Sequence, residues 1–142
     1  MKFTHRYTDQ GVYRLLGFLV LFDTVLVLWA TVFHRYWFLA FHGVEPDDPQ
    51  GFLYRCAANW AAFLLFQAIA FVRWREQPVW LAVVGGVRLS DIFTDFVYFF
   101  AAAQTTWWAQ LTLPTMGLFN LWMGFYLMGA AQRRLGHVPA TK

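Results

Sequence analysis

Apolar residues fall along the chain in four long runs, and polar residues collect between them. The runs cover 11–34, 51–72, 79–103 and 111–131. A helix crossing the hydrocarbon of a bilayer needs about 20 mostly apolar residues, so each run predicts a transmembrane helix. Barrel strands are shorter and alternate apolar with polar positions, a pattern these runs lack. In lipid the backbone must satisfy its own hydrogen bonds, and a helix does so within one segment. The polar breaks are compact. Glu45-Pro46-Asp47-Asp48-Pro49 precedes the second run, Arg73-Trp74-Arg75-Glu76-Gln77-Pro78 closes it, and 104–110 reads as a short turn. The pattern predicts an all-α polytopic fold, a single four-helix transmembrane domain over 1–142. Residues 35–43 are too few to span and predict either a helical extension in the interface or a cap over the bundle.

Composition agrees with a membrane. Hydrophobic residues make up 59% of the chain and charged residues 13%, where a soluble domain carries nearer a quarter. Eight Trp and sixteen Phe bring aromatics to 21%, and amphipathic rings suit the boundary between hydrocarbon and headgroups. Trp74 and Trp80 are expected at one boundary and Trp37, Trp107 and Trp108 at the other. Trp29, Trp60 and Trp122 fall deeper, where packing or ligand contact is expected. The sole cysteine, Cys56, lies in an apolar run and reads as a small packing residue. Neither a cleavable signal peptide nor a lipidation motif is expected: the first run is of full spanning length and lacks a small-x-small cleavage pattern.

Charge sets the orientation. In a four-pass arrangement Lys2, Arg6, Arg14, Arg73, Arg75, Arg133, Arg134 and Lys142 share one side, and Arg35 lies on the other beside Glu45, Asp47 and Asp48. The positive-inside rule then places both termini in the cytoplasm. These cations are scattered over three segments, which gives nucleic-acid binding no footing. Arg far outnumbers Lys, which points to a bacterial source and its cytoplasmic (inner) membrane.

Polar side chains at membrane depth carry most of the remaining information, because each charge there costs about 2.5–3.5 kcal/mol on insertion scales. They are Asp23 in the first run, Arg55, Asn59 and Gln67 in the second, Arg88, Asp91 and Asp95 in the third, and Asn120 in the fourth. Spacings of three and four stack Arg88, Asp91 and Asp95 on one helix face, extended by Val84, Tyr98 and Ala102, and that face should point into the bundle. Gly117, Asn120 and Gly124 share a face suited to close helix approach, and Pro114 is expected in the first turn of its helix. Depth predicts two ion pairs, Arg88 with Asp23 or Asp91 and Arg55 with Asp95. Three Asp against two Arg leave one carboxylate over, and an unpaired buried carboxylate neutralises itself by taking up a proton.

Catalytic signatures are missing. There is no Gly-x-Ser-x-Gly, no His-Glu-x-x-His and no phosphate-binding glycine loop, and Gly85-Gly86 reads as a site of close helix packing. Asp91-Ile-Phe-Thr-Asp95 has the spacing that intramembrane prenyl- and phosphotransferases use to hold magnesium, but no second acidic motif accompanies it, and Arg88 offers a simpler partner. His5, His34, His42 and His137 all fall outside the helix cores, so no haem is expected; His34 and His42 read as solvated at the interface. The four-helix architecture with an acid in the first helix resembles small DoxX-like or sterol-isomerase-like bundles and small multidrug transporters. That resemblance covers helix count and one acid and carries no functional residue over. Three readings follow. The first is a non-catalytic accessory or structural subunit of a larger respiratory or photosynthetic membrane complex, with membrane lipids and other membrane subunits as partners. The second is a lipid-, sterol- or quinone-binding protein, in which bound lipid or quinone meets the midplane acids, with or without catalysis. The third is a small proton-coupled transporter.

Overall fold

The computed structural model describes residues 8–136. The expectations placed on Lys2, His5, Arg6, His137 and Lys142 lie outside the described residues. Among the described residues there are five helices and no strand: α1 (Asp9–Thr31), α2 (His34–His42), α3 (Phe52–Arg73), α4 (Val79–Ala101) and α5 (Trp107–Leu135). Two of them, α1 and α3, are long and apolar enough to cross a membrane. The other long helices are more polar: α4 carries Arg88, Asp91 and Asp95, and α5 carries Gln110, Asn120, Gln132, Arg133 and Arg134.

Local chemistry sets the ends. The Thr8 side chain caps α1 by accepting from Gly11 N at 3.0 Å. Both carboxylate oxygens of Asp48 accept at the start of α3, from Phe52 N and Leu53 N at 2.9 Å each. Gly43 stops α2 at φ 67°, a left-handed conformation open to glycine, and its N–H reaches the Phe38 and Leu39 carbonyls. Thr106 caps α5 through Ala109 N at 3.2 Å and donates its hydroxyl to Ala40 O, tying α5 to α2. Thr106→Ala should therefore cost about 1 kcal/mol or more and loosen the α2–α5 junction. Thermal unfolding followed by circular dichroism checks this.

The first run breaks at Val32–Phe33, and α2 turns over the end of the bundle as a cap. Trp37 and Phe41 of α2 are buried, stacked on each other at 4.6 Å, and Trp37 meets Trp29 at 5.4 Å and Trp60 at 5.1 Å. With Ala30, Ala57, Ala109 and Leu113 they form one apolar core at the α2 end. A second core at the opposite end joins Leu15, Leu16 and Leu19 of α1 to Ala70, Trp74, Leu81, Val84, Met123 and Leu127. The α4–α5 pair is the closest, because Gly85 and Gly124 face each other; a methyl group on either would stand 3.1 Å from the other's carbonyl oxygen.

Several expectations are corrected. Helix α5 starts at Trp107, so Pro114 sits in the helix interior and withholds an N–H from the Gln110 carbonyl. The helix also runs to Leu135, where Arg134 meets Asp9 at 2.5 Å. Trp74 is fully buried rather than a boundary residue, with the Arg134 guanidinium 4.7 Å from its ring centroid. Trp37 anchors the cap, whereas Trp122 is 53% exposed. Cys56 faces outward. Gly85 packs closely, but Gly86 has nothing within 4 Å of a built Cβ.

Candidate functional site

Between the two apolar cores lies a layer of polar side chains. Asp23, Gln67, Arg88 and Asn120 are each at most 6% exposed, and they come from α1, α3, α4 and α5. Asp23 is the hub. Its Oδ2 accepts from Gln67 Nε2 at 2.6 Å and from Arg88 Nη2. The other arm of the guanidinium reaches Asp91 Oδ2 at 3.3 Å, so Arg88 serves both carboxylates that depth offered it. Asn120 donates from α5 to Asp95 Oδ2 at 3.3 Å.

Helix periodicity explains why one stripe of α4 supplies so much. Arg88, Asp91, Asp95 and Tyr98 follow at spacings of three and four and so share a face. Tyr98 extends the stripe toward the cap, its hydroxyl 2.5 Å from His42 Nε2. His42 Nδ1 lies 2.7 Å from the Gln104 carbonyl. A carbonyl only accepts, so Nδ1 carries a proton; in the neutral ring Nε2 is then the acceptor and the Tyr98 hydroxyl donates to it.

The second expected ion pair does not form. Arg55 and Asn59 are exposed on the outer face of α3, and Asp95 turns to Asn120 on α5 instead. Helix rotation decides this: α3 commits Ala57, Gln67 and Ala70 to the interior, which sends 55, 58, 59 and 62 outward. Gln67 had a signal in the sequence too, a primary amide at the depth of Asp23. The Tyr98–His42 link gave no sequence signal, because the fold of the cap creates it.

Moving Arg55 outside changes the charge count. Among the described residues three carboxylates, Asp23, Asp91 and Asp95, now face one guanidinium, Arg88. Three buried polar atoms of this layer have no hydrogen-bond partner among the described residues: Asp23 Oδ1, Gln67 Oε1 and Arg88 Nε. Among the described residues no group of His, Cys, Asp or Glu side chains is placed to hold a metal ion. Apart from this layer, His34, Phe38, Pro46, Asp48, Leu53 and Tyr54 line an open groove beside the cap. On the same surface Arg35 bonds Glu45 at 3.0 Å, which holds the guanidinium above its ordinary pKa.

No family model, curated protein or solved structure matches the chain.

Proposed function

We propose that this chain is a four-span integral membrane protein acting as a non-catalytic subunit of a larger membrane assembly, and that it docks through the outer face of α3. The carrying observation is that Arg55 and Asn59, inside an apolar helix long enough to span, face outward with no side-chain partner among the described residues. An amide facing hydrocarbon is costly, whereas Arg55, in the first turn of α3, reaches toward the headgroups on the same face. A partner helix presenting an acid or amide at matching depth removes that cost. Ala58 and Ala62 share the same exposed face, and small residues let helices approach closely enough for such bonds to form.

Membrane insertion has its own support. Only 28% of the most apolar stretch of α1 and 17% of that of α3 is buried inside the protein, whereas the core helix of a soluble protein is mostly covered. Leu21, Phe93, Phe100, Leu118 and Phe125 are all exposed, an apolar surface that water does not tolerate on a monomer. Counting α4 and α5 as spans gives four passes. Arg14, Arg73, Arg75, Arg133 and Arg134 then lie at the end opposite α2, which is the cytoplasmic side of a bacterial inner membrane by the positive-inside rule.

The test is purification in mild detergent with everything that accompanies the chain identified. Wild type is expected as a complex, bonded to one defined neighbour by a photo-crosslinker at Ala62, while a crosslinker at Phe125 captures lipid. Asn59→Leu with Ala62→Trp should release the neighbour and leave the thermal midpoint of the chain unchanged. A lone monomer from wild-type membranes would sink the proposal.

A further inference from the structure

The polar layer is connected toward one end of the molecule only. On the side away from the cap it rests on Leu15, Leu16, Leu19, Leu81, Val84 and Leu127, all buried and apolar. Toward the cap the polar groups continue: Asp91, then Asp95 one turn on with Asn120 against it, then Tyr98, then His42, then the Gln104 carbonyl in the exposed turn before α5. Successive members are either hydrogen-bonded or neighbours on one helix face.

At the inner end of this line the unpartnered atoms have a definite chemistry. Arg88 Nε is a donor, and Asp23 Oδ1 and Gln67 Oε1 are acceptors. Water has the complementary chemistry, accepting as well as donating twice. The surrounding charges also call for a cation that the described residues do not supply. Asp23 from α1 and Asp91 and Asp95 from α4 face Arg88 alone among the described residues, with neutral Gln67 of α3, Asn120 of α5, Tyr98 and His42 at the exit, and Cys56 of α3 near Tyr98.

We propose that this layer is a hydrated proton-binding site that exchanges protons with the α2 side only, through His42 and Tyr98. The tautomer deduced above supplies the gate. Neutral His42 accepts at Nε2 and turns the Tyr98 hydroxyl proton outward. When the Tyr98 hydroxyl swings off Nε2 its lone pair opens to a proton, and a protonated Nε2 is a donor, so the returning hydroxyl must turn its proton inward. The hydroxyl then gives up that proton to a water of the hydrated site, which passes one of its own to Asp95 or Asp91, as Nε2–H passes its proton to the tyrosine oxygen. One O–H bond breaks and one forms at Tyr98, the N–H bond breaks, and a carboxylate becomes a carboxylic acid. His42 returns to its neutral form, and the net change is one proton moved from bulk water to the layer. The apolar core beyond Asp23 makes the site blind at its other end, so it binds and releases protons without steady conduction.

The proposal rests on membrane insertion but not on the docking role of α3. The full chain in phosphatidylcholine–phosphatidylglycerol vesicles is stepped in pH, and the carboxyl C=O stretch is followed by time-resolved infrared difference spectroscopy. Wild type should show a carboxylic-acid band that rises as pH falls. Asp91→Asn or Asp95→Asn should remove part of its amplitude. Tyr98→Phe should keep the amplitude and slow its appearance about a hundredfold, with an unchanged circular-dichroism melt showing that the fold is intact. A wild-type spectrum with no pH-dependent carboxyl band overturns the proposal, and so does a Tyr98→Phe variant that responds at the wild-type rate. Alkaline carbonate extraction reports separately on the underlying reading: release of the chain defeats membrane insertion, whereas retention without a carboxyl band defeats the proton site alone.

Discussion

Replacing Arg88 with Met is expected to destabilise the protein by about 3–5 kcal/mol, the usual cost of removing one member of a buried ion pair. The guanidinium is 4% exposed and bonds both Asp23 and Asp91. Its loss leaves two carboxylates facing each other in an apolar surround, with Gln67 the remaining donor to Asp23. Most of that cost is the penalty on the abandoned charges rather than the worth of the pair. Asp23→Leu with Arg88→Met should therefore recover much of the stability, because apolar replacements of similar volume spare the desolvation altogether. Denaturant titration of the single and double variants, read by tryptophan fluorescence, yields the coupling energy between 23 and 88. A double variant no better than Arg88→Met would mean that the two residues do not act as a pair.

Gly124→Val should be the next most damaging change. A Cβ at this position stands 2.6 Å from Leu89 Cγ, 2.7 Å from Leu89 Cδ2 and 3.1 Å from the Gly85 carbonyl oxygen. Leu89 has some freedom to rotate away, but the Gly85 backbone has none, so α4 and α5 must part. Overpacking of this kind costs about 1–3 kcal/mol, and Asn120 lies one turn away on the same face. The Asn120–Asp95 bond, already at 3.3 Å, should lengthen with it. Gly86→Ala is the matched control. Nothing lies within 4 Å of its Cβ, and removing a flexible glycine from a helix should stabilise by about 0.5–1 kcal/mol. Thermal midpoints that fall for Gly124→Val and hold or rise for Gly86→Ala would separate close packing from glycine content. Equal effects at the two positions would contradict the geometry.

The two surplus carboxylates and the outward Arg55 are linked. Had Arg55 turned inward to Asp95, the layer would need one added proton; with Arg55 outside, it needs two. One helix rotation thus creates both an unpartnered cation on the surface and a larger deficit of positive charge within. The outward face bears on the proposed assembly, and the interior deficit on the proposed proton uptake. The experiments on Asn59 and on Tyr98 probe them independently.

Hydrophobic periodicity alone determined much of this molecule. The all-helical class, the apolar runs that carry the long helices, and the stacking of Arg88, Asp91 and Asp95 on one face of α4 all follow from run length and from spacings of three and four. These are local properties, set by helix geometry and by the cost of burying charge. The pairing of Arg88 with Asp23 was also within reach, because depth along a helix can be counted in residues.

Tertiary structure decided what counting could not. Rotation of α3 about its axis sent Arg55 and Asn59 outward, and no residue in the α3 sequence states which of its faces meets α1. The break at Val32–Phe33 folded α2 back as a cap, and that cap alone brought His42 to Tyr98, 56 positions away in sequence. A helix carries its own axial register, but its azimuth is settled only when neighbours compete for its faces. The polar layer was therefore foreseeable in its members along α4, while its exit and its charge balance were not.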